Sequence, residues 1–324
     1  MEMDRKINAI LKMVADSKGP VGSSEISEKL KEQGIEMAER TVRYHLKSLD
    51  AQGLLKGIWK EGRVITRKGR DEISNALVFD KIGLMSSKID SMSYGMGFDL
   101  EKKTGSVILN ISLFHKSDLG SALKIMKQAF QKKMGAGGLV ALAEQGEALG
   151  GIEVPAGRVA FGTLCSMNIN GILLKHGIPV ESRFGGLLQM EKGEPLRFTE
   201  MIGYSGSTLD PHEVFLKSGM TSVREAIEGS GKVLAGLREI PAASRNEAEA
   251  ILRKAEAAGF GQTVLMGNPG QAVLGMPVSP ERVGIVLFGG LNPVAAAVEW
   301  GIEAESKALV AMVEYSRLID YKDA

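Results

Sequence analysis

The sequence predicts an α+β protein in two dissimilar parts: three helices and a short β-hairpin over residues 1–79, then an internally duplicated β-α-β-β-α-β arrangement over residues 80–324. Three observations carry this reading. Apolar residues recur at helical spacing through the first fifty positions and then give way to two short β-rich runs. Residues 135–182 align without a gap onto 259–306, an offset of 124, with 14 of 48 positions identical. Charge is also divided: residues 40–70 hold nine basic and two acidic groups, net +7, whereas residues 76–324 hold 25 basic and 27 acidic, net −2. The net charge of +1 for the whole chain conceals that division.

The first helix spans residues 5–16, with Ile7, Ile10, Leu11 and Val14 on one face, and Gly19-Pro20 stops it. Ser23 is placed to cap a second helix that turns Ile26 and Leu30 inward and ends at Gly34. A third, over about 38–52, sets Val42, Leu46 and Leu49 against Arg40, Arg43, Tyr44 and Lys47 on the other face. Ala38 stands at its N-cap without the usual side-chain oxygen. The runs 54–59 and 64–66 then form a hairpin whose tip is Lys60-Glu61-Gly62-Arg63.

That order is a winged helix-turn-helix, and SSEISEKLKEQGIEMAERTVRYHLKSLDAQGLL resembles the segment of that family from its second helix to its wing. The resemblance implies double-stranded DNA as a partner, with the third helix in the major groove. Arg40, Thr41, Arg43, Tyr44 and Lys47 are then the base readers, and Lys56, Lys60 and Arg63 meet phosphates. A basic run alone is usually a solvated face; its concentration on a recognition helix and wing makes it a DNA surface. His45 lies beside the apolar face and reads as a packing residue.

Several chemistries are excluded by inventory. Cys165 is the single cysteine and cannot form an internal disulfide, and the four histidines, His45, His115, His176 and His212, stand far apart with no second ligand nearby, so no metal site is expected. Apolar stretches stop short of the ~18–20 residues of a membrane span. MEMDRKINAI is charged where a signal peptide is apolar, so the expected location is the cytoplasm. No G-x-S-x-G, H-E-x-x-H or P-loop string occurs. Gly135-Ala136-Gly137 and Gly259-Phe260-Gly261 both lack the third glycine of a dinucleotide loop, and nothing supplies a nucleophile to Asp210 and His212. An enzyme is not expected.

After a helix over residues 71–79 the duplicated part begins, with repeats at about 105–182 and 229–306. Each opens with a strand (107–114; 232–239) and a long helix, burying Leu119, Leu123, Met126 and Phe130 in the first copy and Ala248, Ile251, Leu252 and Ala255 in the second. The second face is displaced by one residue from the offset, which one insertion per copy repairs. A β-rich run (158–164; 282–288) then leads through a turn into a short apolar helix stopping at Gly177 or Gly301, and a last strand follows. The halves are expected to pack as two lobes about a pseudo-two-fold axis, with residues 187–228 an insertion in which Asp210-Pro211 starts a helix.

Three places in this part could hold a dicarboxylate. One is the turn Thr163-Leu164-Cys165-Ser166-Met167-Asn168 with its counterpart Phe288-Gly289-Gly290-Leu291-Asn292, where free backbone N–H groups precede a helix and Ser166, Asn168 and Asn292 add donors; plain capping is the alternative. The second is Arg183 within Ser182-Arg183-Phe184-Gly185-Gly186, and a surface arginine fits that pattern too. The third is the repeat-related pair Arg158 and Arg282, for which a structural salt bridge is the alternative; Arg238 falls between these cases. Cys165 has no adjacent base to lower its pKa and reads as a packing residue or ligand neighbour.

The strings FGTLCSMNINGILLKHGIPVESRFGGLLQ, GYSGSTLDPHEVFLKSGMTSV and FGGLNPVAAAVEWGI resemble the archaeal nitrogen-regulation repressor family, NrpR, whose members join a winged helix to one or two copies of an effector domain. The resemblance covers nearly the whole chain, with one effector domain. It implies a homodimeric repressor of nitrogen-assimilation genes, bound to an inverted-repeat operator and released by 2-oxoglutarate. The effector contacts are argued from chemistry: Thr163, Cys165, Ser166, Asn168, Arg183, Arg238, Gly289, Gly290 and Asn292, around a cleft between the lobes lined by the turns after Leu164 and Phe288. A winged-helix regulator answering another small molecule, or a redox or metal signal, is the first alternative, and a DNA-binding protein with an enzymatic C-terminal domain is the second.

Overall fold

The structure, a computed structural model, describes residues 2–17, 19–32, 34–76, 84–261 and 263–324. The chain divides into two compact units, Met1–Lys81 and Ile82–Ala324. The expected boundary after residue 79, and Phe79 at the end of the expected helix, lie outside the described residues.

The first unit runs α1 (Glu2–Asp16), α2 (Ser23–Glu32), α3 (Glu39–Ala51), β1 (Leu55–Ile58), β2 (Gly62–Ile65) and α4 (Arg67–Ala76). Its core joins the inward faces of the three helices, Ile10, Leu11, Val14, Ile26, Leu30, Val42, Leu46 and Leu49, with Val21, Leu54 and Leu55. Gly34 takes φ +76° just past α2, a conformation glycine adopts without penalty. Ser23 proves not to be a cap. It is the first residue of α2, and its hydroxyl donates to Glu39 Oε1 at 3.0 Å, fastening the starts of α2 and α3 together. Ala38 is extended and offers no side-chain cap, as its chemistry requires.

The hairpin differs from expectation in its tip. Gly62 and Arg63 belong to β2, and the turn is Trp59-Lys60-Glu61, with Lys60 at φ +59°. Val21 explains the shift: its backbone exchanges two 3.0 Å hydrogen bonds with Arg63, so the connection between α1 and α2 acts as a third strand along β2. A Cβ on Gly62 would lie 2.4 Å from the Val21 carbonyl oxygen, and only glycine permits the approach.

The second unit begins with α5 (Leu84–Gly95). The first repeat follows as β3 (Ser106–His115), α6 (Leu119–Gln131), β4 (Leu139–Ala143), a small hairpin β5 (Ala148–Leu149) and β6 (Ile152–Glu153), β7 (Arg158–Leu164), α7 (Asn168–Lys175) and β8 (Glu181–Glu191). Then come β9 (Glu194–Gly203), α8 (Pro211–Lys217) and α9 (Val223–Ile227). The second repeat is β10 (Gly231–Pro241), α10 (Arg245–Ala257), β11 (Thr263–Met266), β12 (Arg282–Phe288), α11 (Asn292–Glu299) and β13 (Ala304–Glu314), and β14 (Ile319–Asp320) is the last strand. The supposed insertion therefore starts inside β8, which is long enough to carry β9 as its hairpin partner.

Two five-stranded antiparallel sheets result, in the orders β13-β3-β7-β4-β14 and β11-β12-β10-β8-β9. Each repeat keeps its first three strands together, but its fourth crosses over: β8 pairs with β10 and β13 pairs with β3. The short helices cross too. Val294 and Ala297 of α11 pack with Ala122, Met126 and Phe130 of α6, and Ile169, Ile172 and Leu173 of α7 share a cluster with Ala248, Ile251, Leu252 and Ala255 of α10. The expectation of two lobes with an open cleft is corrected accordingly. The halves interlock, and the turns after Leu164 and Phe288 are where they cross. In α6 the buried face is Ala122, Met126, Ala129 and Phe130, while Leu119 and Leu123 are half-buried.

At the crossing the chains are in backbone contact. A Cβ on Gly290 would stand 2.0 Å from the Leu164 carbonyl oxygen and 2.5 Å from Asn110 Nδ2. Near the start of the aligned segments the two Gly-x-Gly strings pair with one another, Gly261 N donating to Ala136 O at 2.7 Å and Gly138 N to Gly259 O at 3.1 Å. They are paired because close backbone approach needs glycine. Gly290→Ala is expected to destabilise the protein by ~2–3 kcal/mol, the upper part of the overpacking range, because the obstacle is backbone. Gly120→Ala, in a helix with nothing within 4 Å of the new methyl, should be neutral or slightly stabilising. Paired urea titrations check both.

Candidate functional site

In the first unit, Arg40, Thr41, Arg43, Tyr44 and Lys47 are all exposed along α3, and Tyr44 keeps 72% of its surface. Arg43 pairs with Glu39 one turn back, and hydrogen bonds from Ser23 and Arg43 hold the Glu39 carboxyl below its ordinary range. His45 is half-buried with its ring edge-on to Tyr44 at 5.6 Å. On the wing, Lys56 and Lys60 are exposed. Arg63 is not on the free tip: its Nε donates to Asp50 Oδ2 at 2.8 Å, tying β2 to the end of α3. One residue escaped the sequence reading. Trp59, in the turn of the wing, is 85% exposed, and its only signal was a large aromatic at a turn between cations.

In the second unit the amides singled out from the turns are structural. Asn168 Oδ1 accepts from Ile108 N at 2.7 Å, and its Nδ2 donates to Ile108 O at 2.8 Å and Cys165 O at 2.7 Å. Asn292 repeats the pattern on Leu234 N at 2.7 Å and Leu234 O at 2.9 Å, with Met134 O at 2.8 Å. Each is buried with both ends of its amide engaged, so neither is a free ligand donor. Thr163 is buried beside Asn110. Gly289 and Gly290 serve close packing, against Leu234 and His212 and against Leu164. Arg183 is half-exposed, 2.7 Å from Glu181 and 3.6 Å from the buried Glu239. Arg158 and Arg282 meet the alternative foreseen for them, ion pairs with Glu303 and Glu181, both at 3.6 Å.

Arg238 is different. It is 1% exposed, and no carboxylate stands within salt-bridge distance among the described residues. Its Nε donates to Asn170 Oδ1 and its Nη2 to Ser166 Oγ, both at 2.7 Å, with Met167 Sδ at 3.5 Å. Nη1 has no partner, and neither has the buried Tyr204 hydroxyl. The two flank one spot, since a Cβ on Gly236 would lie 3.6 Å from Nη1 and 3.8 Å from the Tyr204 oxygen. Around it stand His212, whose Nε2 is 3.2 Å from Ala235 O, and Asp210, which caps α8 by accepting from His212 N and Glu213 N.

Burial governs the titration of this cluster. It lowers the Arg238 and His212 pKa values, the latter opposed by Asp210, and it raises those of the Tyr204 phenol and the Cys165 thiol, the thiol to about 12. A buried guanidinium without an anion is expensive, by several kcal/mol. Asn170 also links the cluster outward: its Nδ2 donates to Ser182 Oγ at 2.9 Å, and Ser182 lines a cavity of about 340 Å³ with Ser86, Asp90, Glu181 and Arg282.

The duplication shows how singular this is. Arg238 faces Ile285 and Ser182 across its strands, and its counterpart Ser112 faces Phe161 and Ser306. Ser112 and Ser306 merely share a hydrogen bond of 2.8 Å. The counterparts of Ser166 and Asn170, 124 residues on, are Gly290 and Val294. One half carries a charged polar cluster, and the other has a serine pair and packing.

Comparison with known proteins bears on both units. Residues 82–320 match the family model of the NrpR regulatory domains NRD1 and 2, and residues 8–73 match that of the ribonuclease R winged-helix domain. The chain belongs to the NrpR family. It is 33% identical to the global nitrogen regulator NrpRI of Methanosarcina mazei, over 98% of both chains. It is 32% identical to the global nitrogen regulator NrpR of Methanococcus maripaludis over 98% of its own length, spanning 55% of that longer relative. The crystal structure of a nitrogen repressor-like protein from Methanococcus jannaschii superposes with a TM-score of 0.61 at 29% identity, covering 74% of this chain and 98% of the other. The NrpR family consists of regulators, so the chain is a regulator and not an enzyme. Among the described residues no helix is long and apolar enough to cross a membrane.

Cys165 is the one thiol, and with a pKa of about 12 it holds almost no thiolate at neutral pH. It should react with a thiol reagent at least a hundredfold more slowly in the native protein than in denaturant. Native labelling at the denatured rate would show an accessible thiol at Cys165 and overturn this reading.

Proposed function

We propose that this NrpR-family chain is a DNA-binding repressor that holds an inverted-repeat operator as a homodimer and is released by a dicarboxylate, 2-oxoglutarate, anchored at Arg238. The observation that supports the effector is the buried guanidinium with an unpartnered Nη1 beside an unpartnered Tyr204 hydroxyl. A carboxylate is the group that answers both donors and neutralises the charge. Because the spot sits where strands of the two repeats pair, seating a ligand there would strain or relax the interlock, which is how a small anion can move the whole unit as a rigid body. Among the residues weighed from sequence, Arg238, Ser166 and Cys165 gather here, the thiol as a neighbour; Arg183 and the two asparagines are committed elsewhere.

The exposed stripe on α3 and the lysines of the wing support the DNA reading. One stripe reads too few base pairs for useful specificity, so a dimer on two half-sites about one helical turn apart, or a multiple of that, is the economical arrangement. Arg43→Ala should relax base preference at one position of each half-site and cost ~1–3 kcal/mol, whereas Lys60→Ala should weaken all duplexes alike and reduce the salt slope by about one. Footprints and salt titrations decide. Uniform loss in both variants would move sequence reading from α3 to the wing.

The effector arm is tested by calorimetry with 2-oxoglutarate beside operator titration with and without it. A tenfold loss of operator affinity requires a tenfold weaker hold on the effector in the operator-bound protein, a coupling of ~1.4 kcal/mol. Arg238→Met removes a costly buried charge but leaves Asn170 Oδ1 and Ser166 Oγ without their donor, so it should fold with at most a modest loss of stability, and it should bind operator but ignore 2-oxoglutarate. Absence of heat and unchanged operator affinity at millimolar 2-oxoglutarate in the unaltered protein would overturn the effector; a normal response in Arg238→Met would overturn the anchor.

A further inference from the structure

The wing of the first unit presents a combination that phosphate contact alone does not explain. Strands β1 and β2 pair over four residues, from Leu55↔Ile65 to Ile58↔Gly62, and the turn that joins them raises Trp59 into solvent with 85% of its surface exposed. Exposed Lys56 and Lys60 flank it. The hairpin is braced close to its turn, at Arg63, in two ways: by the Val21–Arg63 backbone pair and by the Arg63–Asp50 ion pair to α3. An indole is the largest apolar surface a side chain can offer, and holding it in water on a braced turn, where Lys60 and Glu61 follow it, forgoes that burial. Lone exposed hydrophobics are common on protein surfaces. Here the placement between cations, on an element fixed to α3, indicates a partner that is anionic outside and apolar within its groove.

We infer that Trp59 is a wedge that lies in the groove of duplex DNA flanking the half-site, its ring on the deoxyribose wall and its Nε1–H toward a groove acceptor, while Lys56 and Lys60 hold the phosphates on either side. The inference rests on the DNA-binding reading above and extends it from charge to shape. In the minor groove the acceptors, adenine N3 and thymine O2, are common to both A·T orientations, so a donor there carries little sequence information. The contact therefore adds affinity to operator and unrelated duplex alike. It buries apolar surface and releases no counterion, so unlike Lys60 it leaves the salt dependence alone.

The chain has two tryptophans, and Trp300 is engaged elsewhere, with Arg224 4.0 Å above its ring. Full-length protein carrying Trp300→Phe thus reports on Trp59 alone. Adding operator duplex, or unrelated duplex of equal length, should quench its emission and shield it from acrylamide. Trp59→Ala should weaken both duplexes about tenfold, ~1.4 kcal/mol, with the slope of log affinity against log salt unchanged. Trp59→Phe should keep most of the affinity. Duplex binding that leaves the Trp59 emission and acrylamide access unaltered overturns the wedge and spares the DNA reading. A lower salt slope in Trp59→Ala overturns it too, by showing that the loss is electrostatic, as does shielding by single-stranded RNA without shielding by duplex DNA. If neither duplex binds at any salt, both readings fall.

Discussion

The second unit depends on one constraint, the backbone contact where the two repeats cross. Gly290 lies against the carbonyl of Leu164 so closely that a single carbon cannot be inserted, and just beyond each turn a buried asparagine fastens the start of a short helix to the first strand of its repeat. A primary amide suits this duty because it donates and accepts at once, satisfying an N–H and a carbonyl of one strand residue with a single side chain. Past that point each chain half enters the territory of the other, so α7, β8, α11 and β13 are shared elements. Neither half can then bury its own sheet without its companion. That makes the unit one cooperative body instead of two lobes on a hinge.

Such a body transmits a local change readily. Packed interiors have discrete arrangements and resist continuous deformation, so a ligand that favours one arrangement shifts the whole. The Arg238 cluster sits where β10 meets both β8 and β12, strands of opposite repeats, and there the internal symmetry is broken. Where the first repeat has Ser112 and a plain hydrogen bond, the second has an unpaired guanidinium; where the second has Gly290 and Val294, the first has Ser166 and Asn170. Duplication supplied a scaffold with two equivalent positions, and the polar chemistry is gathered at one of them.

The first unit solves a different problem, stiffness with little mass. Its wing would be floppy as an isolated two-stranded ribbon. The Val21 bridge and the Arg63–Asp50 pair give it a third strand and a strut, so the cations and the indole at its tip keep a fixed place relative to α3. Arg63 thereby illustrates how a basic residue in a basic run can also serve geometry.

Much of this was written locally. The faces of α1, α2 and α3, the strands 158–164 and 282–288, and the buried set Ala248, Ile251, Leu252 and Ala255 all follow from periodicity, because side-chain period and burial are properties of a single element. The duplication was equally plain. The exchange of fourth strands was not, since an alternating strand satisfies either sheet equally and nothing in its pattern names its neighbour. The pairing of Arg63 with Asp50, the engagement of Asn168 and Asn292, and the meeting of Arg238 with Ser166, Asn170 and Tyr204 across up to 72 residues were equally hidden. Sequence by itself determined the helices of the first unit with their inward faces, the main repeated strands and helices of the second, and the division into a basic and a near-neutral part, because those are set by short-range geometry and composition. Only the tertiary structure decided which half each strand joins and which polar groups are left without a partner, because those are settled by contacts between distant segments.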